Sequence, residues 1–415
     1  MHKTTALLLW MAMWMPLAGA IHFCGLVVGA SLGWIVLAAI LAAAGLGYWI
    51  STICASDPSR PLSKNTGLLL LAGIAFLTAA CAFLSRRYGD WDAALIWNLH
   101  ARYLATGDGW RSIYEPGASG NAAYPMGLPS SIALLWRVLG SDNPTVPFFA
   151  ALLPTLGIPV VIFLEGARGK FWVSLTVLPL FAFHRYYLAL GLDQYADIQV
   201  AWPWLLAAVC MNRAHISRKT DYWFASGLLL GALCWTKWEG ILLSVCLLAP
   251  WAAYFLRNRR ALLLLLLGLT PFVLTITMFL RTGPPEAPLL TDLAGIATRM
   301  GNGERYRIIG RAFTNEVFGR HWPFATLLVA TPILLQKWAD RFAKRMYISV
   351  VGAVVGYAAV YLLLVSTDLE WNLQFSLARL LLQVYPVAVF AGSCAASLPI
   401  VVVLPTPFTP TTSNT

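Results

Sequence analysis

Apolar stretches long enough to cross a bilayer recur along this chain of 415 residues. A transmembrane helix needs about 20 apolar residues, whereas a β-barrel needs alternating apolar and polar residues. No such alternation appears, while 59% of the residues are hydrophobic and 11% are charged. The sequence therefore predicts an all-α polytopic membrane protein with about twelve transmembrane helices. We place them at residues 5–22, 29–50, 66–84, 144–164, 171–190, 196–212, 222–236, 241–256, 261–280, 322–336, 347–366 and 378–398.

The distribution of positive charge predicts which side each loop faces. If the N-terminus is inside, the short outer loops contain just Arg185, Lys237 and Arg379, and the inner loops carry many more cations. Both termini are then cytoplasmic. The net charge of +11 follows from this topology, so a nucleic-acid partner is not indicated.

The first apolar stretch has two interpretations. Lys3, an apolar core and Ala18-Gly19-Ala20 resemble a cleavable secretory signal. A second apolar stretch follows at once, which favours an uncleaved first helix. All seven cysteines lie in or next to apolar stretches, so the sequence predicts neither a disulfide framework nor a cysteine metal site.

Two outer connections are much longer than a turn, at residues 85–143 and 281–321. Connections of this length usually carry function or disorder. The first contains Trp91, Trp97 and Trp110, which suits helices lying at the membrane interface. Its apolar stretch at 128–139 is too short to cross the membrane, so we interpret it as a helix in the membrane plane. The chain then divides into N-terminal spans at 1–65, the main membrane domain at 66–398, and an unstructured Pro/Thr-rich tail at 399–415.

Charged and aromatic residues concentrate in the loops that this topology places outside. Such groups are costly near hydrocarbon, so their concentration on one side predicts a polar site at the outer interface. They are Asp90, Asp92, Arg102 and Tyr124 in the first long loop, and Tyr195, Asp197, Lys237, Glu239, Trp371 and Arg379 in or beside the short loops.

The acidic residues also have simpler explanations. Asp90 and Asp92 would be solvated acids that balance the two arginines before them. Asp197 would cap the helix that begins there. For each acid taken alone, the sequence leaves both explanations open.

The cations and aromatic residues have simpler explanations as well. Lys237 and Glu239 would neutralise each other at the membrane edge. Arg379 would extend to the lipid headgroups. Trp371 would be an interfacial anchor and Tyr124 part of a turn before proline.

Several short motifs follow one another in a fixed order. They are Trp91-Asp92-Ala93 with Ile96-Trp97-Asn98 and Ala101-Arg102, Tyr124-Pro125, Tyr195-Ala196-Asp197, Thr236-Lys237-x-Glu239-Gly240, and Trp371-x-Leu373-x-x-Ser376-x-x-Arg379-Leu380-Leu381-Leu382-Gln383. This ordered set covers about residues 66–398. It resembles the bacterial inner-membrane glycosyltransferases of the GT-C superfamily, similar in architecture to protein mannosyltransferases and to the aminoarabinose transferase of lipid A.

The resemblance implies an inverting transfer of a sugar from a polyprenyl-phosphate donor to a lipid or polysaccharide acceptor, outside the inner membrane. Such a transfer needs a base for the acceptor hydroxyl and a cation for the departing phosphate. We predict Asp92 as the base, Asp90 as a supporting acid, and Asp197 as a third catalytic acid. Asp90 and Asp92 are candidate ligands of Mg²⁺ or Mn²⁺. The predicted substrate-binding residues are Arg102, Tyr124, Tyr195, Lys237, Glu239, Trp371 and Arg379.

Two other classes of protein stay open. An O-antigen-type polymerase or ligase that uses lipid-linked glycans is expected to use arginine and histidine in a large late outer loop. The second long loop offers Arg299, Arg305, Arg307, Arg311, Arg320 and His321. A secondary transporter would place its charges near the bilayer midplane. The charges here lie at one face, which disfavours a transporter.

Overall fold

The computed structural model of the protein describes residues 3–55, 62–84, 89–119, 121–167, 170–283, 293–322, 341–365 and 368–397. Within these ranges every regular element is a helix, which confirms the all-α fold class. The tail expected at 399–415 lies outside the described residues.

Seventeen α-helices are described, and short π and 3₁₀ turns join some of them. They are α1 (Lys3–Val28), α2 (Leu32–Ala55), α3 (Lys64–Leu84), α4 (Asn98–Ala105), α5 (Gly127–Leu139), α6 (Thr145–Val161), α7 (Phe171–Ala182), α8 (Arg185–Leu192), α9 (Ala196–Ser217), α10 (Asp221–Thr236), α11 (Glu239–Leu248), α12 (Ala252–Arg257), α13 (Arg259–Arg281), α14 (Leu293–Gly301), α15 (Gly303–Asn315), α16 (Arg341–Leu363) and α17 (Leu369–Ala396).

Length and apolar composition allow eight of the described helical segments to cross a membrane. They are α1, α2, α3, α6 extended to Gly166, α11 joined to α12, α13, α16 and α17. The pair α7 and α8, bent by 60° at its break, is a ninth candidate. These helices support a polytopic membrane protein.

The predicted count of twelve spans is not confirmed. Helices α9 and α10 form where the sixth and seventh spans are expected. However, polar residues interrupt α9, and α10 has 16 residues. The span expected at 322–336 lies outside the described residues, apart from Trp322.

Helices α9 and α17 lie inside the bundle and are buried along most of their length. They pack against each other, and α10 and α16 pack beside them. A helix surrounded by other helices can carry polar residues, provided that those residues find partners inside the protein. This position explains why α9 holds polar side chains that would be costly in a helix facing lipid.

A glycine contact brings α10 and α13 together. A Cβ atom added to Gly227 would lie 2.0 Å from the carbonyl oxygen of Leu265, so only glycine permits this approach. Small residues at such contacts are typical of packed membrane helices. Gly231, one turn later in α10, meets Phe272 later in α13. The two helices therefore run parallel and end on the same side of the bundle.

The loops and helix ends that carry the predicted site meet at one end of the bundle, which we call the site end. Helices α3, α10, α13 and α16 end there, and α9, α11 and α17 begin there. The Tyr114 and Thr282 hydroxyls, 2.8 Å apart, tie the first long loop to the end of α13. Arg305 in α15 donates to the carbonyl oxygen of Tyr361 in α16 at 2.7 Å.

The first long loop is largely helical, but two of its tryptophans are not at a membrane interface. It contains a π turn at Ala93–Trp97, then α4, a 3₁₀ turn at Gly107–Tyr114, and α5. Trp97 and Trp110 are buried inside the bundle, whereas Trp91 is exposed. Trp110 packs on Phe23 of α1, with 5.4 Å between the ring centroids. As predicted, α5 is too short to cross, with 13 residues.

Candidate functional site

Asp197 lies in the first turn of α9 and is fully buried, with 0% of its surface exposed. Its Oδ1 accepts hydrogen bonds from Lys237 Nζ at 3.1 Å and Gln383 Nε2 at 2.6 Å. Its Oδ2 accepts one from Arg379 Nε at 3.1 Å. The preceding Tyr195 is the N-cap position, so Asp197 does not act as the helix cap. Two donors from α17 and one from the break between α10 and α11 instead stabilise its charge.

Lys237 stands in the break between α10 and α11, where its backbone is extended. Its buried ammonium group contacts Asp197 Oδ1 at 3.1 Å and Glu239 Oε1 at 3.0 Å. Burial alone lowers the pKa of a lysine, but the carboxylates of Asp197 and Glu239 outweigh it and raise the pKa of Lys237. The pairing of Lys237 with Glu239 is present, and Asp197 extends it into a three-membered group.

Arg379 stands ten residues after Leu369, about 15 Å into α17 at 1.5 Å per residue. Its guanidinium bridges two carboxylates, because Nη2 contacts both Asp197 Oδ2 and Asp92 Oδ2. The guanidinium carbon also lies 4.5 Å from the centre of the Tyr195 ring. Arg379 therefore points at acids inside the protein, and the alternative in which it extends to the headgroups does not describe this geometry.

Asp92 lies at the rim of the same group, just before the π turn of the first long loop. Its side chain is 11% exposed, and Arg379 is its ion-pair partner. The glycine before the two acids makes this position possible. Gly89 has a φ of +72°, and a Cβ there would lie 2.6 Å from the Ala93 Cβ. The N–H of Asp90 donates to the carbonyl oxygen of Asp193 at 3.1 Å, which ties this turn to the end of α8.

Asp92, Asp197, Lys237, Glu239 and Arg379 thus form one charge cluster at the site end. With all five ionised, its charge is +2 − 3 = −1. Oε2 of Glu239 is buried and has no hydrogen-bond partner among the described residues. The cluster therefore presents a carboxylate oxygen that can still accept a hydrogen bond.

Two predicted tyrosines border the charge cluster. The Lys237 ammonium lies 5.9 Å from the ring centre of Tyr124, which also packs on Trp97. Burial and then the charge of Glu239 raise the pKa of Tyr124. Burial and then the charge of Asp92 raise the pKa of Tyr195 to about 12. Both phenols therefore stay neutral at physiological pH and can donate hydrogen bonds.

Two of the predicted substrate-binding residues, Arg102 and Trp371, lie away from the charge cluster. Arg102 pairs with Asp142 at 3.3 Å, and its side chain is 59% exposed. The neighbouring Ala101 is buried in the core, so Arg102 points away from the core. Trp371 is 57% exposed and stacks on Phe375, as expected of an interfacial anchor.

The residues do not fit a divalent metal in this arrangement. Among the described residues no group of three histidine, cysteine or acidic side chains is placed to hold an ion. Arg379 already donates to Oδ2 of Asp92. Asp90 and Asp92 are therefore not assigned to Mg²⁺ or Mn²⁺, and we derive no step through a metal.

Sequence reasoning assigned no role to Gln383, which completes the shell around Asp197. It lies four residues after Arg379 and therefore on the same face of α17. The side-chain amide oxygen of Gln383, Oε1, accepts a hydrogen bond from the Tyr357 hydroxyl at 2.6 Å. A glutamine one turn after an arginine, in the mainly apolar part of α17 that follows Arg379, was the signal available in the sequence.

A second polar group pairs His321, already named in the second long loop, with Glu316, a partner that the sequence did not indicate. His321 Nδ1 lies 2.6 Å from Glu316 Oε2, because the π turn Glu316–Arg320 brings the two side chains to one face. The His321 ring packs on Tyr186 at 4.3 Å between centroids. Tyr186 in turn lies within electrostatic reach of Asp197, Arg379 and Glu316. The second long loop therefore contributes side chains next to the cluster.

Known proteins do not supply an assignment for this arrangement. Neither a protein-family model, nor a curated protein, nor a solved structure matches the chain. The relation to the GT-C glycosyltransferases therefore stays a prediction from the ordered motifs. The functional interpretation rests on the geometry described above.

Proposed function

We propose that the protein is an inverting membrane glycosyltransferase that moves a sugar from a polyprenyl-phosphate donor to a lipid or polysaccharide acceptor. The observation that carries this proposal is the bridging of Asp92 and Asp197 by Arg379. The three residues come from separate parts of the chain and meet at the site end. We place this end of the bundle outside the bacterial inner membrane, with both termini in the cytoplasm.

In this proposal the cluster supplies a cation for the departing phosphate and a base for the acceptor hydroxyl. The acceptor oxygen attacks the anomeric carbon from the side opposite the phosphate, so the configuration inverts. The carbon–oxygen bond to the phosphate breaks, and its electron pair leaves with the phosphate. Arg379 binds the phosphate because a guanidinium matches its oxygens in a fork geometry. Asp92, at the rim, takes the proton from the acceptor hydroxyl.

The remaining residues position the substrates in this proposal. Glu239 Oε2 accepts a hydrogen bond from a sugar hydroxyl, since it has no described protein partner. Tyr124 and Tyr195 provide ring faces and neutral hydroxyl donors. The ammonium of Lys237 is enclosed by two carboxylates and has 4% of its side chain exposed. We therefore expect Lys237 to hold Asp197 and Glu239 in place, and Arg379 to be the cation that meets the phosphate.

Comparing envelope glycans of strains with and without this protein tests the proposal. Loss of one sugar from a lipid or polysaccharide is expected in the deletion strain, together with accumulation of the corresponding polyprenyl-phosphate sugar. The parent protein should restore the glycan, while Asp92→Asn should not, at equal levels in the membrane. Asp142→Asn, an identical chemical change at an exposed ion pair, is the matched control and should restore it fully. An unchanged glycan profile in the deletion strain would refute the proposal.

The Glu316–His321 pair supports a second candidate, a polymerase or ligase that uses lipid-linked glycans. Its glutamate orients the imidazole of the second long loop beside the cluster, an arrangement suited to proton transfer. A polymerase lengthens its product, whereas the proposed transferase adds a single sugar. Loss of long polysaccharide chains, with shorter intermediates retained, would favour this second candidate.

A further inference from the structure

Asp197 and Asp92, the two carboxylates that contact Arg379, differ in burial and in the number of side-chain donors around them. Asp197 is fully buried and also accepts hydrogen bonds from Lys237 and Gln383. Asp92 lies at the rim, and Arg379 is its one described side-chain partner. If Arg379 released Asp197, a buried charge would lose a donor. If it released Asp92, the carboxylate would be left at a position that water can reach.

An anion that approaches the cluster from the rim therefore meets the edge of Arg379 that Asp92 occupies. The Nε edge of the guanidinium stays with Asp197, because that contact lies in the buried part of the site. With all five members ionised the charge of the cluster is −1, so a phosphate added beside Asp92 would place two anions next to each other on one arginine. Exchange of one anion for another on Arg379 avoids placing two negative groups together.

We propose that Asp92 and the phosphate group of a polyprenyl phosphate ester, a diester in the sugar donor and a monoester in the product, compete for the same edge of Arg379, so that phosphate binding releases Asp92. This inference rests on the proposed function for its ligand class, the phosphate of a polyprenyl-phosphate donor. Release of Asp92 from Arg379 makes its carboxylate available to the acceptor hydroxyl when the donor is bound. The base and the phosphate site are thereby coupled through one arginine.

The same exchange also determines when the product phosphate leaves Arg379. The proton that leaves the acceptor hydroxyl converts Asp92 to a neutral acid, and the phosphate leaves the sugar with the electron pair of the broken bond. A neutral Asp92 no longer competes for Arg379. The product phosphate therefore stays bound until Asp92 loses its proton to water and returns to the guanidinium.

Binding of phosphate probes to the purified full-length protein tests the competition without any sugar transfer. The probes are a short-chain polyprenyl phosphate and inorganic phosphate, and the dissociation constants are measured by titration calorimetry in detergent micelles. We expect Asp92→Asn to bind the lipid probe about ten- to a hundredfold more tightly than the parent, the range for one charge-assisted contact. Arg379→Gln should lose this binding.

A matched control separates competition from a general change in charge. Asp142→Asn also removes one negative charge but lies in the exposed pair with Arg102, so its affinity should stay within about fivefold of the parent. Asp92→Ala is the second variant and should show the same gain as Asp92→Asn. Thermal unfolding of every variant verifies that the fold is retained.

The outcomes are distinguishable. A gain with both probes shows that the phosphate group itself competes with Asp92, and a gain with the lipid probe alone assigns the site to a lipid headgroup. Unchanged or weaker binding in both Asp92 variants overturns the inference, as does an equal gain in Asp142→Asn. A gain in affinity without any effect of the protein on envelope glycans would instead preserve the anion site and refute the proposed transferase.

Discussion

Replacing Lys237 by methionine measures how strongly the charge cluster stabilises the fold. Methionine keeps a similar side-chain length but removes the ammonium that contacts Asp197 at 3.1 Å and Glu239 at 3.0 Å. Removing one partner of a buried ion pair costs about 3–5 kcal/mol. Asp197 keeps Arg379 and Gln383, so we expect the lower end, about 3 kcal/mol. The partly exposed Glu239 pair adds less than about 1 kcal/mol.

Unfolding of the purified protein, transferred from mild detergent into increasing SDS and followed by tryptophan fluorescence, gives the free energy of unfolding. The control Arg102→Met breaks the exposed pair with Asp142 and should cost less than about 1 kcal/mol. The pKa of Lys237 is raised in the folded protein, so its contribution is complete below its ordinary pKa of 10.5 and falls as the pH rises through the folded value. The difference between Lys237→Met and the parent should therefore be constant from about pH 6 to pH 9. A loss below about 1 kcal/mol in Lys237→Met would show that the cluster contributes little stability.

Further predictions concern activity and topology. Arg379→Lys keeps the charge but loses the fork geometry, so the donor KM or turnover should worsen about ten- to a hundredfold; kinetics within twofold of the parent would remove Arg379 from the phosphate site. Trp371→Ala should leave the transfer rate within about twofold, because its exposed ring packs on Phe375 outside the cluster; a tenfold loss would return Trp371 to the site. In a variant without native cysteines, Glu115→Cys should react with a membrane-impermeant thiol reagent in intact spheroplasts and Arg257→Cys should not. The opposite labelling pattern would invert the topology.

The sequence could locate the charge cluster because each member lies next to the end of an apolar stretch. Asp92, Asp197 and Lys237 stand beside predicted spans, and a single topology places all three loops on one side. The sequence could not show how deep Arg379 lies, because α17 begins nine residues before the predicted span. Depth decides whether an arginine extends to the headgroups or meets buried acids.

Other features depend on local geometry that has no clear sequence pattern. Helix α4 has eight residues, and the sequence does not tell which of its faces packs, so Arg102 was placed in the site and is in fact exposed. Glu316 and His321 are five residues apart, which a regular α-helix would turn by about 140° beyond a full turn. The π turn between them changes this rotation and brings them together. The number of spans could not be predicted from apolar content alone, because a helix enclosed by its neighbours, such as α9, need not be apolar.

The wide separation of the cluster residues along the chain has a consequence for biogenesis. Arg379 lies 182 residues after Asp197 and 287 residues after Asp92, so translation delivers both acids long before their shared cation. Until α17 is made, Asp197 depends on Lys237 for its charge, and Asp92 has no ion-pair partner from the cluster. A ribosome-bound chain that ends before residue 369 should therefore keep α9 accessible to quality-control proteases. Once α17 is made, it packs against α9 and supplies Arg379 to Asp197, so α9 should then resist these proteases.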